Sequence, residues 1–167
     1  MFKKFPVRIL LAGLLALSTA VFAADPPKIS ALGRLDRQFM EQQRNRIDEF
    51  ARFDLGRQLR ADKNHNLDIL QTLLDRRVVS AEQTVELQAM GVVLGDLLAA
   101  ELGMKWVIYE DRYGRSRALQ LGSSDNFLFP ITMISRRVEA GAQVDVTAVY
   151  EKAYKIIEPY RTPLPFR

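Results

Sequence analysis

Few side chains in this 167-residue chain combine type and spacing in a way that could do chemistry. Glu110 and Asp111 are adjacent carboxylates, Ser135-Arg136-Arg137 sets two guanidinium forks beside Pro130, and Trp106 and His65 are the single tryptophan and histidine. Two carboxylates perform acid–base catalysis only when they flank one reacting group. Successive residues of a strand point to opposite faces, so Glu110 and Asp111 are expected to diverge. A cell-envelope hydrolase or carbohydrate-active enzyme using Glu110, Asp111 or Glu101 is therefore the alternative reading. Arg136 and Arg137 suit an anionic ligand, since a guanidinium matches a carboxylate bidentately; ion pairs with Glu139, Asp125 or Asp145 are the competing expectation. Trp106 could stack on a sugar or a peptide side chain, or simply fill the core.

Other chemistries are excluded by composition. The chain has no cysteine, which removes disulfides, thiol nucleophiles, iron–sulfur clusters and thiolate metal sites. A Ser-His-Asp triad or a multi-histidine zinc site would have to be built around His65 alone. No phosphate loop, dinucleotide fingerprint or metal-ligand cluster is present, so neither cofactor nor metal is expected. The weight falls on binding, with Trp106, Glu110, Asp111, Arg136 and Arg137 as the candidate contact residues.

These side chains need elements to hold them. Leu32, Leu35, Phe39, Ile47, Phe50 and Phe53 recur at mostly helical intervals, which predicts a long helix from about Ala31 to Leu59, capped by Ser30. Asp62-Lys63-Asn64-His65-Asn66 reads as a polar turn, followed by a helix near 67–77. Ser80 and Gln83 match a capping box for an apolar helix that ends at Gly103, a residue suited to the left-handed turn after a helix. Gly91 and Gly95 within it each cost about 1 kcal/mol of helix propensity and predict a close neighbour on one face. From Lys105 the pattern turns to strand. Trp106–Tyr109 and Arg115–Leu121 form a hairpin around Asp111–Gly114, and Phe127–Met133 supplies a third strand that is an edge or is interrupted at Pro130. A short helical turn at 135–139 and a last helix capped by Asp145 complete an α+β fold: N-terminal helices, a three-stranded antiparallel meander and a C-terminal helix.

The first 23 residues read differently from the rest. Lys3, Lys4 and Arg8 precede the apolar run ILLAGLLAL, and Val21-Phe22-Ala23 closes it with small residues at the two recognition positions. That is the tripartite pattern of a secretory signal, cleaved after Ala23. The run is shorter than the roughly 20 apolar residues needed to span a bilayer, so no stable membrane insertion is expected. Removing residues 1–23 takes three of the 24 basic residues and none of the 20 acidic ones, leaving a net charge of +1. Nucleic-acid binding thereby loses its compositional support. The expected organisation is signal 1–23, linker 24–29, one α+β domain 30–158 and an extended tail 159–167.

Leu94-Gly95-Asp96, Glu101-Leu102-Gly103-Met104-Lys105-Trp106, Glu110-Asp111-Arg112-Tyr113-Gly114, Phe129-Pro130 and Ser135-Arg136-Arg137-Val138-Glu139, taken as an ordered set, resemble the bacterial domain-of-unknown-function family 3806 over about residues 80–157. The resemblance implies a compact α+β domain in an exported protein and brings no catalytic residue with it.

These readings together predict a periplasmic, non-catalytic binding domain. Its partner would be a protein or peptide of the cell envelope, for example a periplasmic toxin or enzyme that it inhibits. A structural helper in envelope maintenance is the third possibility.

Overall fold

The computed structural model describes residues 26–161; the expected signal and the end of the expected tail lie outside the described residues. The elements run β1 (Lys28–Ala31), α1 (Arg34–Leu55), α2 (Lys63–Asp75), α3 (Thr84–Leu102), β2 (Met104–Asp111), β3 (Gly114–Leu121), β4 (Phe127–Leu128), α4 (Ile131–Glu139) and α5 (Val146–Ile157), with a 3-10 turn at Glu158–Tyr160. The architecture is α+β, as the sequence predicts, but the antiparallel sheet has four strands in the order β1-β2-β3-β4. The added strand, β1, falls on residues assigned to the linker and the first helix cap. It pairs Lys28 with Glu110 and Ile29 with Tyr109, so its partners lie some eighty positions away and no local pattern announces it.

The central element is α3. Ala89 to Gly95 are buried without interruption, as expected of a helix contacted by α1, α4, α5 and the sheet. It stops at Gly103, whose φ of 69° is the left-handed cap expected there. Its start lies later than the capping box implies: the Gln83 side chain accepts from the Ser80 N–H at 2.9 Å, but the serine hydroxyl turns to Glu82 and the helix begins at Thr84. The two glycines have the predicted neighbours. A Cβ on Gly91 would overlap the backbone of Ile131 in α4, and one on Gly95 would overlap the Trp106 ring and touch Pro130.

Helix α1 buries the expected stripe only in part: Ile47 is fully buried and Phe50 packs against the core. Asp36, Met40, Gln43, Ile47 and Ala51 face inward, whereas Leu35 and Phe53 are 78% and 85% exposed. Asp36 sits on the inner face because it has partners there: it meets two arginines of β3. The cap is Gly33, whose N–H donates to the Asp36 carboxylate at 3.1 Å, rather than Ser30.

Two further boundaries differ. The run Asp62–Asn66 opens α2 instead of preceding it, with Asp62 accepting from the His65 N–H at 2.6 Å. His65 is half-buried in the first turn, its Nε2 2.9 Å from the Gln58 carbonyl. The third expected strand survives only as Phe127–Leu128, because Pro130 caps a helix that already begins at Ile131. The final helix opens as predicted, its Asp145 accepting from the Ala148 N–H at 2.9 Å. No helix among the described residues is long and apolar enough to cross a membrane.

Candidate functional site

The hairpin and α4 hold the candidate residues, and they separate them. Trp106 points to the helix side of the sheet, where its ring lies on Gly95 and its Nε1–H donates to Asp96 Oδ1 at 2.9 Å. Asp96 also receives Arg44 through Nε at 2.6 Å and Nη2 at 3.0 Å, so Trp106 is tied into the link between α1, α3 and β2.

The carboxylates diverge. Glu110 lies on the helix-facing side of β2, in register with Lys28 and Arg115. Asp111 is on the opposite side and accepts from the Tyr113 N–H at 2.8 Å, closing the hairpin turn. Glu101 sits beyond the other end of β2, with Lys63 3.6 Å away. At about 3.3 Å per strand residue, that is roughly 20 Å from Glu110. The three share no cleft.

The arginines also part. Arg137 folds back onto the Met133 carbonyl of its own helix. Arg136 projects into a groove, and makes no ion pair or side-chain hydrogen bond among the described residues. Two of its expected partners are engaged elsewhere: Glu139 accepts from Thr84 at 2.7 Å and Asp145 caps α5.

That groove, about 670 Å³, brings Arg136 together with Asp111 of the residues singled out from sequence. It exists because β4 is short. Leu119 and Gln120 pair with Leu128 and Phe127, after which the chain turns at Pro130 into α4. The remainder of β3, Gly114 to Arg117, has no strand on that side. One wall is this bare edge; the other is Phe129, Ile131, Thr132 and Arg136.

Arg115 and Arg117 line the same groove, two apart and hence on one face of β3. Both reach Asp36, at 2.6 and 2.9 Å. The hydrogen bond from Arg115 holds the Asp36 carboxyl below the usual carboxylate range, against the opposing effect of burial. The Arg117 guanidinium also lies 4.0 Å over the Phe39 ring, a cation–π contact that covers its otherwise unpartnered Nε. On the outer face, Tyr109 meets Phe127 and Phe129 edge-on, at 5.1 and 5.3 Å between centroids, spanning β3 over the fully buried Ala118. Of the three guanidiniums lining the groove, Arg115 and Arg117 are paired with Asp36, Arg115 also facing Glu110 across the ladder, and Arg136 is the one without an ion pair among the described residues.

A larger depression of about 720 Å³ between α2 and α5 is lined by Asp68, Asp75 and Asp145. Those carboxylates are already committed, to Arg57, Gln71 and the α5 cap respectively. Among the described residues no group of three His, Cys, Asp or Glu side chains could hold a metal ion.

Sequence reasoning missed Asp36, Arg115 and Arg117. The Arg-x-Arg spacing in a strand was a usable signal, because it sets two cations on one face. An aspartate inside the apolar stripe of α1 was the complementary one.

Comparison with known proteins supports this frame. The family model for the domain of unknown function DUF3806 matches residues 66–150, slightly more than half of the chain. No curated protein matches it. A crystal structure from Bacteroides thetaiotaomicron VPI-5482 at 1.50 Å resolution has a similar fold, with a TM-score of 0.69 and 17% identity over 78% of this chain and 48% of that one. The chain thus spans about half the length of that structure, and the likeness is one of fold.

Proposed function

The chain belongs to the DUF3806 family of domains of unknown function, and from that premise we propose that it is an exported, periplasmic, non-catalytic binding domain whose ligand seat is the groove between β3 and α4. One observation carries the reading: Arg136 stands without a partner among the described residues, in a groove walled by Phe129 and the Arg115–Arg117 face. An unpaired guanidinium beside apolar surface is the arrangement that captures a carboxylate on an otherwise apolar ligand. The separated carboxylates Glu101, Glu110 and Asp111 supply no paired acid and base, so binding is favoured over hydrolysis. The pattern of Met1–Ala23 supports export, with Ala24 as the new N-terminus. Inhibition of a periplasmic toxin or enzyme is one role such a domain would serve.

The test is affinity capture from periplasmic extract with the wild-type protein and with Arg136→Glu. A partner held by the first and released by the second is the expected result. A partner retained equally by both moves the seat elsewhere on the protein, and capture of none by either overturns the reading. N-terminal sequencing of the native protein should begin at Ala24; a cytosolic protein beginning at Met1 would refute export.

A further inference from the structure

The groove has a wall made of backbone, and that wall specifies how a ligand would bind. The Leu121 N–H donates to the Asn126 carbonyl at 3.1 Å, on the β4 side of β3. In an antiparallel ladder, the backbone groups of alternate residues point to the same edge, so Leu119, Arg117 and Arg115 face that way too. Leu119 is paired with Leu128. Arg115 and Arg117 have no backbone partner there among the described residues.

We infer that this bare edge takes an extended segment of a partner protein as an added strand, in line with β4, with one acidic side chain of that segment reaching Arg136. The inference rests on the groove being the ligand seat and specifies its mode. Strand addition uses the ligand's own backbone to satisfy the edge, and pockets beside it choose alternate side chains. The groove meets both needs: the N–H and C=O groups of Arg115 and Arg117 line one side, Arg136 and Phe129 the other. Charge favours a peptide carrying a single acid over a polyanion, since Arg115 and Arg117 are already paired with Asp36 and only Arg136 of the lining guanidiniums makes no ion pair among the described residues. The aromatic rings favour a peptide over a sugar. Tyr109 is locked edge-on against Phe127 and Phe129, and so offers an apolar wall rather than a free stacking face.

The experiment selects short random peptides displayed on phage against the full-length protein as the cell processes it. Enriched peptides are then bound to the ¹⁵N-labelled protein and amide hydrogen exchange is followed. Expected are sequences with one Asp or Glu, a loss of affinity of about tenfold or more in Arg136→Glu, and slowed exchange at the Arg115 and Arg117 amides. N-methylation of the peptide should abolish binding at alternate positions and be tolerated between them. Peptides that bind while the Arg115 and Arg117 amides exchange freely would overturn strand addition. So would failure to enrich any peptide, selective binding of an acidic oligosaccharide instead, or protection of those amides by self-association into a dimer. A partner captured through Arg136 from extract, with those amides unprotected, removes the strand mode and leaves the binding-domain reading intact.

Discussion

The indole of Trp106 lies where a side chain on Gly95 would begin, so helix α3 and strand β2 meet with no atom between ring and backbone. Four residues earlier Gly91 does the same for the backbone of Ile131 at the start of α4. The two glycines thereby set how closely α3 approaches the sheet on one side and the helix carrying Arg136 on the other.

Gly91→Ala and Gly95→Ala should each destabilise the protein by about 1–3 kcal/mol through overpacking, outweighing alanine's roughly 1 kcal/mol advantage in helix propensity. Gly91→Ala should be the worse of the two, because the obstruction is main chain. It should also weaken ligand capture by displacing α4. Urea denaturation reads the first effect, and binding measured on the folded variant reads the second.

Arg136→Glu should leave stability within about 0.5 kcal/mol of wild type, as an exposed side chain without an ion pair or hydrogen bond among the described residues does. Asp96→Asn should cost about 1–2 kcal/mol, since it weakens the two-pronged contact from Arg44, discounted for partial exposure. Thermal melts of the pair separate a residue kept for ligand from one kept for the fold.

Asp36 should make stability depend on acidity in a defined direction. A carboxyl whose pKa is lowered in the folded state stabilises the fold above its unfolded value and loses that contribution as pH falls through the folded one. Asp36→Asn should therefore be less stable than wild type at neutral pH, with the gap closing below about pH 4. Paired urea titrations at neutral and strongly acidic pH check this; a gap that persists in acid contradicts it.

Tyr150 gives the opposite trend. Its hydroxyl is buried with no partner among the described residues, and burial first, then the charges of Glu101 and Tyr154, push its pKa up to about 12. The contribution of the neutral phenol is complete below its unfolded value near 10 and disappears as pH rises through 12. Tyr150→Phe should be neutral or more stable by up to about 1 kcal/mol at neutral pH, because it removes an unsatisfied group. It should also flatten the alkaline decline that wild type shows in denaturation experiments.

What could be read from sequence was whatever local chemistry determines. The apolar helix closed by Gly103, the hairpin around Asp111–Gly114 and the Asp145 cap all follow from short-range signals, and the structure has them. The edge strand Lys28–Ala31 does not, since four residues become a strand only through Val107–Glu110. The apolar spacing of α1 gives its inner face only in part: Ile47 is buried and Phe50 packs on the core, but Leu35 and Phe53 face water, while Asp36 faces arginines supplied by a distant strand. Of the site, Arg136 was legible as an available cation. An interruption at Pro130 was legible as one of two alternatives; the bare edge of β3 was not, because it depends on the neighbouring strand ending after only two residues.

The clasp between Asp36 and the β3 arginines joins residues 79 and more positions apart. Synthesis therefore delivers the first strand and the opening turn of α1 long before anything exists to fasten them. Nearly the whole hairpin must appear before the domain can close. Such late, non-local closure slows folding and leaves the nascent chain open for most of its synthesis.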